Sequence, residues 1–536
     1  MEIKRDTIIG LPGTKIPNVT LGQYIYQRLQ DHEDNIVQVD IQTNKHYTSR
    51  EILEKSVVLA DILKRYGIQI EDRVGIASEN HPSYMVVACA AFFTGAAWAP
   101  LNPAYTEREY RHMLDIYQPR VMFVTRRTEK IISEIAPTLS WTMKLIQVDD
   151  EPLDGQMITL KELLDKHKNM VNLNTFKPVS VDDNSKRMAA ILGSSGTTGF
   201  PKGVMLSHLN LLTFISHIRS PECMNSRSGD RVMIFLPLFH GYAVGMMCMS
   251  ISTGAIIYIM RNFKPVSLFK AIDEYRITHL PLVPPVMTIL AKHQMVPKYD
   301  FTSVREVICG AAPLQMKMWK EVQRRTKMRY VRNGYGMTEL SIVSNLSDRE
   351  STDDNVGVAI HGFQCKIVDP ETGKSLGTRG VGEVCFKGDQ VMMGYFKNPK
   401  VTAETIDKDN WCHTGDLGYL DEKNVLYITG RIKELIKYKG YQVSPSELEA
   451  VILTHPNVKD VAVLGKPHEV SGEIPIAFVV KQPGTNPSAE EIVEFANRNL
   501  SPEKWIRGGV IFVGDIPKTP SGKILRRNMM GLIPKL

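Results

Sequence analysis

The sequence predicts a large α/β domain over residues 1–430, followed by a small mobile α+β domain over residues 431–536. Three observations favour this arrangement. The chain has 536 residues, which is more than one compact core usually holds. Apolar runs rich in β-branched residues alternate with helical patterns up to Gly430, as in parallel sheets. Beyond Gly430 the pattern changes to a unit of about 100 residues, the size of a small domain.

The alternation of strands and helices is clear in the first half of the chain. Residues 73–77 and 121–124 have the composition of buried strands. Residues 83–95 predict a buried helix, and residues 107–117 predict an amphipathic one. Residues 189–192 predict a further buried strand, directly before a loop rich in serine, threonine and glycine.

One segment raises the question of a membrane span. Residues 232–260 contain no Lys, Arg, Asp or Glu, and by charge alone they could cross a bilayer. Residues that break a helix or disturb an apolar face interrupt the segment at Pro237, His240, Gly241, Gly245 and Gly254. We therefore expect a buried strand, a functional loop and a buried helix here, and no membrane span.

The small domain shows its own start signals. Ser444 is expected to cap a helix, with Pro445 at its first position and Glu447 completing a capping box. A second capping box, of Ser488 and Glu491, precedes a helix ending near residue 500. Strands are expected at residues 461–464, 474–480 and 509–513. The stretch 416–439, full of charge and glycine, is typical of a mobile junction.

Composition excludes several classes of protein. The net charge is +7, but Lys and Arg are dispersed, which argues against a nucleic-acid partner. The seven cysteines form no C-x-x-C pair, which argues against a disulfide framework or a zinc site and favours a reducing compartment. The first residues lack a long apolar core, so no secretory signal is expected.

The strongest chemical feature is the loop at residues 194–203, SSGTTGFPKG. Its four hydroxyl groups can donate to phosphate oxygens, and its glycines let backbone N–H groups approach the same oxygens. Lys202 adds a positive charge. The common GxxxxGK[ST] loop is absent, so this is a different phosphate site. The alternative, a flexible surface turn, fits poorly with a position after a buried strand.

This loop resembles the signature of the adenylate-forming superfamily, which includes acyl-CoA synthetases, coumarate–CoA ligases and beetle luciferases. Further motifs follow in the family's order over nearly the whole chain. The stretches 436–443 and 507–513 resemble the beetle luciferase and insect luciferase-like branch in particular. The motifs are Phe239-His240-Gly241, Tyr335-Gly336-Met337-Thr338-Glu339, Thr414-Gly415-Asp416, Gly430-Arg431, residues 437–442 and Pro520-Ser521-Gly522-Lys523.

The resemblance implies the acyl-adenylate-forming fold, with stacked sheets and helices, and ATP, Mg²⁺ and coenzyme A as cofactors. Glu339 would bind Mg²⁺, Asp416 and Arg431 the ribose, and Tyr335 the adenine. Implied catalytic residues are Lys523, Lys437, His240, Thr338 and Arg431. Implied cofactor-binding residues are Ser194, Ser195, Gly196, Thr197, Thr198, Gly199, Lys202, Asn333, Gly334, Tyr335, Gly336, Thr338, Asp416, Arg431, Lys439, Gly440, Gln442 and Lys523.

The two lysines of the small domain imply two domain orientations. By resemblance, Lys523 bridges the carboxylate and the α-phosphate during adenylation. Lys437 resembles the lysine of the second half-reaction and would lie on the opposite face of the domain. Such alternation about a short hinge is a known kind of domain motion. Gly430 stands where luciferases often carry an aspartate, so the hinge mechanics could differ.

The candidate acyl pocket is mostly apolar or small, which favours an alkyl or aryl acid. Its residues are Phe214, His240, Tyr242, Gly310, Ala311, Ala312, Tyr335, Gly336, Leu340, Ile342 and Val343. Beetle luciferases, which the chain resembles, carry an arginine at the position of Phe214 and a hydroxyl residue at that of Ile342. The loss of both removes polar partners for luciferin.

Three functions remain open. The first, which we prefer, is an acyl-CoA ligase for medium- or long-chain fatty acids or aryl acids. The second is a light-emitting monooxygenase, and the third is a non-catalytic nucleotide-binding or scaffolding relative. The last three residues, Pro534-Lys535-Leu536, match two positions of the peroxisomal signal S-K-L. An import receptor of the peroxisome is therefore a possible partner, and the peroxisome and the cytoplasm are the two expected locations.

Overall fold

The structure, a computed structural model, describes residues 8–9, 16–149, 157–194, 201–311, 316–439, 441–519 and 522–533. Their α-helices are α1 (Leu21–Asp31), α2 (Ser49–Arg65), α3 (Ser83–Thr94), α4 (Glu107–Tyr117), α5 (Glu129–Ile135), α6 (Leu160–His167), α7 (His208–Ile218), α8 (Gly241–Thr253), α9 (Pro265–Glu274), α10 (Pro284–Lys292), α11 (Met316–Thr326), α12 (Pro399–Thr405), α13 (Pro445–Ile452), α14 (Ala489–Arg498) and α15 (Arg526–Met529).

The strands of the described residues are short and numerous. They are β1 (Ile8–Ile9), β2 (Ile36–Asp40), β3 (Lys45–Thr48), β4 (Arg73–Ala77), β5 (Ala97–Leu101), β6 (Val121–Val124), β7 (Lys144–Gln147), β8 (Met188–Ser194), β9 (Lys202–Ser207), β10 (Arg231–Ile234), β11 (Ile256–Ile259), β12 (His279–Leu282), β13 (Glu306–Cys309), β14 (Tyr330–Tyr335), β15 (Asn345–Leu346), β16 (Val358–Ala359), β17 (Gln364–Val368), β18 (Ser375–Leu376), β19 (Gly382–Lys387), β20 (Gly394–Tyr395), β21 (Cys412–Leu420), β22 (Leu426–Arg431), β23 (Ile436–Tyr438), β24 (Tyr441–Val443), β25 (Val458–His468), β26 (Gly472–Lys481) and β27 (Val510–Phe512).

Three sheets build the large domain. One has nine strands in the order β16-β15-β14-β13-β12-β10-β11-β2-β3, and another has seven in the order β20-β9-β8-β5-β4-β6-β7. Both have a parallel centre. The nine-stranded sheet is antiparallel at both edges, and the seven-stranded sheet only at the β20-β9-β8 edge. The third sheet, β1-β17-β19-β21-β22 with β18 beside β17, is antiparallel. The described residues thus confirm the predicted large α/β domain.

The predicted elements of the large domain agree closely with the structure. Helix α3 is buried on all sides, as its apolar composition requires, and Gly95 ends it in the left-handed conformation. Helix α4 begins after Thr106, whose side chain forms a capping box with Glu109. A single hydrophobic core joins residues of all three sheets with helices such as α3, α7 and α8.

The segment 232–260 is folded inside this domain. It forms β10, a loop and the buried helix α8, as predicted. It also forms a second strand, β11, which pairs with β10 in parallel and which the sequence analysis missed. Within the described residues, no helix combines the length and apolarity needed to cross a membrane.

The small α+β domain contains the sheet β24-β23-β26-β25, with β27 parallel to β26, and its own hydrophobic clusters. Each predicted capping box correctly places a serine before its helix, but the predicted hydrogen bond to the glutamate side chain is not formed. Ser444 precedes α13, but its hydroxyl donates to the Thr429 carbonyl, and Glu447 pairs with Lys504. Ser488 does cap α14, yet the structure shows no reciprocal bond from Glu491.

The first part of the stretch 416–439, for which the composition predicts a mobile junction, lies in a hairpin. Strands β21 and β22 pair in antiparallel fashion, which places Asp416 opposite Arg431. The rings of Tyr419 and Tyr427 stack across the same pair at 4.8 Å. Charge and glycine here therefore belong to a hairpin that carries part of the candidate site.

Candidate active site

The candidate site lies where strands of the two large sheets end. Ser194 is the last residue of β8 and pairs in antiparallel register with Lys202, the first residue of β9. Tyr335 ends β14, and the loop after β10 leads to His240. The carboxyl ends of parallel strands are the usual place for ligands in such sheets. The predicted residues Ser195, Gly196, Thr197, Thr198, Gly199, Ala312 and Gly440 lie outside the described part of the chain, as does the side chain of Gln442.

A carboxylate with two tight partners forms one side of the site. Asp416 is buried, its Oδ1 lies 2.7 Å from Nε of Arg431, and its Oδ2 accepts the hydroxyl of Tyr335 at 2.7 Å. Burial raises the pKa of Asp416, while Arg431 acts in the opposite direction. Burial also opposes the charge of Arg431, but Asp416 and Glu434 prevail and raise its pKa. The structure therefore joins three residues that the sequence analysis assigned separately to one nucleotide.

Lys523 of the small domain faces this cluster. Burial and the nearby Arg431 lower the pKa of Lys523 to about 8, although Glu434, Asp416 and Glu339 favour its charged form. Its turn docks on the large domain, because a Cβ at Gly522 would lie 2.6 Å from Cδ of Pro285. The structure thus shows the orientation in which the Lys523 face meets the large domain.

Lys437 is placed differently. Its side chain is exposed on β23, and no contact within the described residues joins it to Asp416. Its backbone N–H donates to Glu473 at 2.8 Å, which fixes the strand rather than the ammonium group. Lys439 is likewise exposed at the end of the same hairpin. In this structure Lys523 thus lies near Asp416 and Arg431, whereas Lys437 is exposed.

Glu339 is the centre of a second buried group. Its carboxylate accepts the hydroxyl of Tyr395 at 2.8 Å, and the ammonium group of Lys202 lies 4.7 Å from the centre of the same ring. Glu339 follows Thr338 in a 3-10 turn. Tyr395 was not predicted, since a single Gly-Tyr pair after a loop carries no recognisable signal. It connects the phosphate-loop lysine with the candidate metal ligand.

Backbone geometry keeps the adenine side of the site narrow. A Cβ at Gly336 would overlap the carbonyl oxygen of Ile342, so only glycine fits there. A Cβ at Gly310 would lie 3.0 Å from the carbonyl oxygen of Gly334. Asn333 is buried, and its side chain donates to the Asn355 carbonyl at 3.2 Å. These close approaches bring the ends of β13 and β14 beside the pocket residues.

His240 and Tyr242 begin the helix that forms one pocket wall. Nδ1 of His240 accepts the backbone N–H of Tyr242 at 3.4 Å, which leaves Nε2 to carry the proton of the neutral ring. Burial lowers the pKa of His240, so the ring is neutral at physiological pH. The hydroxyl of Tyr242 donates to the Ile308 carbonyl at 2.7 Å.

The deep end of the pocket is closed by apolar groups. Phe214 is fully buried, and a Cβ at Gly245 would lie 2.7 Å from both its ring and Cδ1 of Ile342. Ile342 has a φ of +90°, which is strained for a β-branched residue. Leu340 and Val343 are buried beside it. Gly245 was missed as a pocket residue, although an isolated glycine in an apolar helical pattern can mark such a contact.

A hydrogen-bonded group supports the turn before Asp416. Oε1 of Glu383 accepts the backbone N–H of Gly415 at 2.9 Å, and its Oε2 lies 2.7 Å from Nδ1 of His413. Hydrogen bonds with Cys385 and Glu383 raise the pKa of His413 to about 10. In the described part of the chain these three are the one group spaced like metal ligands. Their mutual hydrogen bonds account for the arrangement. All seven cysteines are buried thiols.

Comparisons with known proteins agree with this geometry. The family model described as AMP-binding enzyme matches residues 25–396, and that of the AMP-binding enzyme C-terminal domain matches residues 447–523. The chain is 36% identical to luciferin 4-monooxygenase of Nipponoluciola cruciata, covering 92% of this chain and 90% of the relative. It is 35% identical to 4-coumarate–CoA ligase 1 of Petroselinum crispum, covering 98% and 96%.

Solved structures show the same architecture. ATP-bound MatB from Rhodopseudomonas palustris superposes with a TM-score of 0.85 at 26% identity, covering 95% of this chain and 98% of that one. A red-emitting luciferase from Phrixothrix hirtus superposes with a TM-score of 0.75 at 30% identity, covering 98% of both chains. The fold is therefore shared with an ATP-bound protein and with a luciferase.

Proposed function

Since the chain belongs to the AMP-binding, adenylate-forming enzyme family, we propose that it is an ATP-dependent acid–CoA ligase. It activates a medium- or long-chain fatty acid, or an aryl acid, as acyl-AMP and then transfers the acyl group to coenzyme A. The observation that carries the proposal is the docked turn of Lys523 beside Asp416 and Arg431, next to an apolar pocket.

In the first step a carboxylate oxygen attacks the α-phosphate of ATP, and pyrophosphate leaves. Both reactants are negative, so the site must offset charge that develops in the transition state. Lys523 provides a positive charge at the Asp416–Arg431 cluster, and Lys202 provides another beside the phosphate loop. Asp416 accepts the ribose hydroxyls, and Thr338 contacts phosphate. His240, neutral and half-buried, lines the position of the reacting carboxylate.

The donor set of Glu339 fits Mg²⁺. A carboxylate oxygen is a ligand that this hard cation prefers, and the neighbouring Thr338 offers a hydroxyl. Bound Mg²⁺ would offset the charge of the ATP phosphates. Tyr395 holds the Glu339 carboxylate by the hydrogen bond of 2.8 Å and so fixes its direction.

The second step uses the other face of the small domain. The exposed hairpin of β23 and β24 carries Lys437 and Lys439, and by family resemblance it meets coenzyme A after the domain rotates. The thiol then attacks the acyl carbonyl of acyl-AMP, and AMP leaves.

The test is a substrate panel followed by the mass of the thioester. Purified enzyme receives ATP, Mg²⁺, coenzyme A and saturated acids of increasing length, together with aryl acids. We expect AMP release and an acyl-CoA product with an apolar acid. Absence of AMP release across the whole panel would refute the ligase. AMP release without a thioester would support the adenylation step and refute the proposed transfer to coenzyme A.

A second candidate is a luciferase-type monooxygenase, favoured by the 36% identity to luciferin 4-monooxygenase. The composition of the acyl pocket favours weak luciferase activity at most, because Phe214 and Ile342 have no polar group that could contact luciferin. Light from luciferin, ATP and oxygen at a rate rivalling thioester formation would favour this candidate over the ligase. A non-catalytic relative is disfavoured by the presence of Lys202, Glu339, Asp416 and Lys523.

For the location of the protein we propose the peroxisome or the cytoplasm, since Lys535 and Leu536 match the S-K-L signal but Pro534 does not. These residues lie outside the described part of the chain. A fluorescent protein fused in front of the native C-terminus should reach peroxisomes, and Pro534→Ser should strengthen import. Diffuse fluorescence of the native fusion would assign the protein to the cytoplasm.

A further inference from the structure

A separate cavity, with charged and hydroxyl side chains at its wall, lies at the far end of two helices that line the acyl pocket. It has a volume of about 540 Å³ and is bounded by the C-terminal ends of α1, α7 and α8 and by the loop that follows α7. Helix α8 has 13 residues, so the cavity is about 20 Å from His240, at the opposite end of that helix. It is therefore separate from the proposed nucleotide site. The lining residues that matter here are Arg28, Arg219, Arg227, Ser226, Ser252 and Thr253.

The charge of this lining has one sign. Three arginines and a histidine contribute to it, and no Asp or Glu does. Arg28 forms an ion pair with Asp31, one turn along α1. Arg219 contacts only neutral groups in the described part of the chain, the hydroxyls of Tyr24 and Ser252 at 3.3 and 3.4 Å.

Arg227 is a positive charge at the cavity that no helix end explains. Cations near the C-terminus of a helix offset its dipole, which accounts for Arg28 and Arg219. Arg227 lies in the loop between α7 and β10, outside any helix, and its side chain is exposed. The ion pairs described for this chain include none for Arg227 or Arg219. Arg227 thus has no helix end to offset, and Arg219, which also forms no ion pair with a described residue, can contact an anion while it offsets the end of α7.

The hydroxyl groups suit the same ligand. Five serines and a threonine line the cavity, and Ser226 and Thr253 bond each other at 3.1 Å. Guanidinium and hydroxyl groups together are the usual donors to phosphate oxygens. The volume exceeds that needed for a single phosphate and falls within the range of small-molecule sites.

We propose that this cavity binds a pyrophosphate group, either as the free ion or as part of a nucleotide. Arg219 and Arg227 would hold the phosphate oxygens, and the hydroxyl groups would orient them. The inference is independent of which acid the enzyme activates, because the cavity shares no lining residue with the acyl pocket.

The test counts bound ligand. Inorganic pyrophosphate, inorganic phosphate and ADP are each titrated by calorimetry into wild-type protein and into the double variant Arg219→Gln/Arg227→Gln. We expect the double variant to bind one equivalent fewer of pyrophosphate or ADP than wild type, with ATP–pyrophosphate exchange unchanged within about twofold. Loss with pyrophosphate identifies the free ion as sufficient, and loss with ADP alone identifies a nucleotide.

The control is Arg498→Gln, which removes the same charge from an exposed arginine of the small domain. It should bind as wild type does. Equal stoichiometry in wild type and the double variant would overturn the inference, and so would an equal loss of affinity in the control. A lower melting temperature of the double variant with unchanged stoichiometry would mean that the arginines only offset helix ends, which also overturns it.

Discussion

Lys523 lies among charges of both signs, and its removal separates the two proposed steps. We predict that Lys523→Ala lowers adenylation, measured as pyrophosphate release, by at least about 100-fold, because a positioned charge on developing negative charge contributes that much. Thioester formation from supplied acyl-AMP should continue. Lys504→Ala, which removes a lysine paired with Glu447 in the same domain, is the control. An equal loss of both steps in Lys523→Ala would contradict the two-face interpretation.

The lowered pKa of Lys523 predicts an unusual pH profile. Its pKa is about 8, so the charged form that adenylation needs is lost as pH rises through 8, well below the ordinary lysine value. The value of kcat/KM for ATP, which reports the free enzyme, should therefore fall above pH 8. The arginine of Lys523→Arg stays charged in this range. The kcat/KM that this variant retains should therefore not fall above pH 8. A wild-type profile flat to pH 10 would contradict the prediction.

At the scale of single elements, α8 controls the size of the acyl pocket through Gly245. A methyl group there would press on Phe214 and Ile342, at 2.7 Å from each. We predict that Gly245→Ala lowers kcat/KM at least tenfold for the longest acid that wild type accepts, and less for short acids. Adding Phe214→Ala should restore the long acid, because it makes room for the methyl group. A uniform loss across the panel that the second change does not rescue would place the acyl chain elsewhere.

The element that carries Lys523 is anchored by Arg526. Its guanidinium group donates to Glu449 at 2.6 Å and to the Val463 carbonyl at 3.3 Å, and it lies 3.3 Å from Glu434. Burial raises the pKa of Glu449 to about 7, so an unpaired Glu449 would be costly at higher pH. We predict that Arg526→Met lowers the stability of the protein by about 3 kcal/mol at pH 8, measured by chemical denaturation.

The matched control removes both members of the buried pair. Arg526→Met/Glu449→Gln should recover most of that stability, because the more deeply buried carboxylate is then neutral, and Glu434 keeps 20% of its side chain exposed. If adenylation recovers with it, Arg526 acts only through stability. If adenylation stays low in the stable double variant, Arg526 positions the Lys523 turn. A single variant as stable as wild type would show that the pair contributes nothing.

Helices could be predicted from the sequence where the pattern of apolar and polar residues was clear. Helix α3 is apolar all round and α4 has a clear polar face, and both were found within one residue of the predicted bounds. Strand β11 was missed, because an apolar run that follows a buried helix has no periodicity of its own. The capping box of Glu447 failed because Lys504, distant in sequence, competes for its carboxylate.

At the scale of the whole molecule, motifs could be predicted but their connections could not. The sequence placed Asp416, Arg431 and Tyr335 in one site only through family resemblance, since nearly 100 residues separate them. The pairing of β21 with β22 and the end of β14 bring them within hydrogen-bonding distance. Tyr395 depends wholly on tertiary contacts, so no local pattern could identify it. The isolated glycine at position 245 marks a close contact but does not show that Phe214 and Ile342 make it.

The contact between the two domains yields the last prediction. Gly522 has a φ of +87°, and a Cβ there would lie 2.6 Å from Pro285 of α10, so a side chain would hinder docking of the Lys523 turn. We predict that Gly522→Ala lowers pyrophosphate release at least tenfold but leaves thioester formation from supplied acyl-AMP within about twofold, because the second step uses another face. Gly514→Ala is the matched control, since a Cβ at Gly514 meets no described atom within 4 Å. Equal effects of Gly522→Ala on both steps would mean that one orientation of the domain serves the whole reaction.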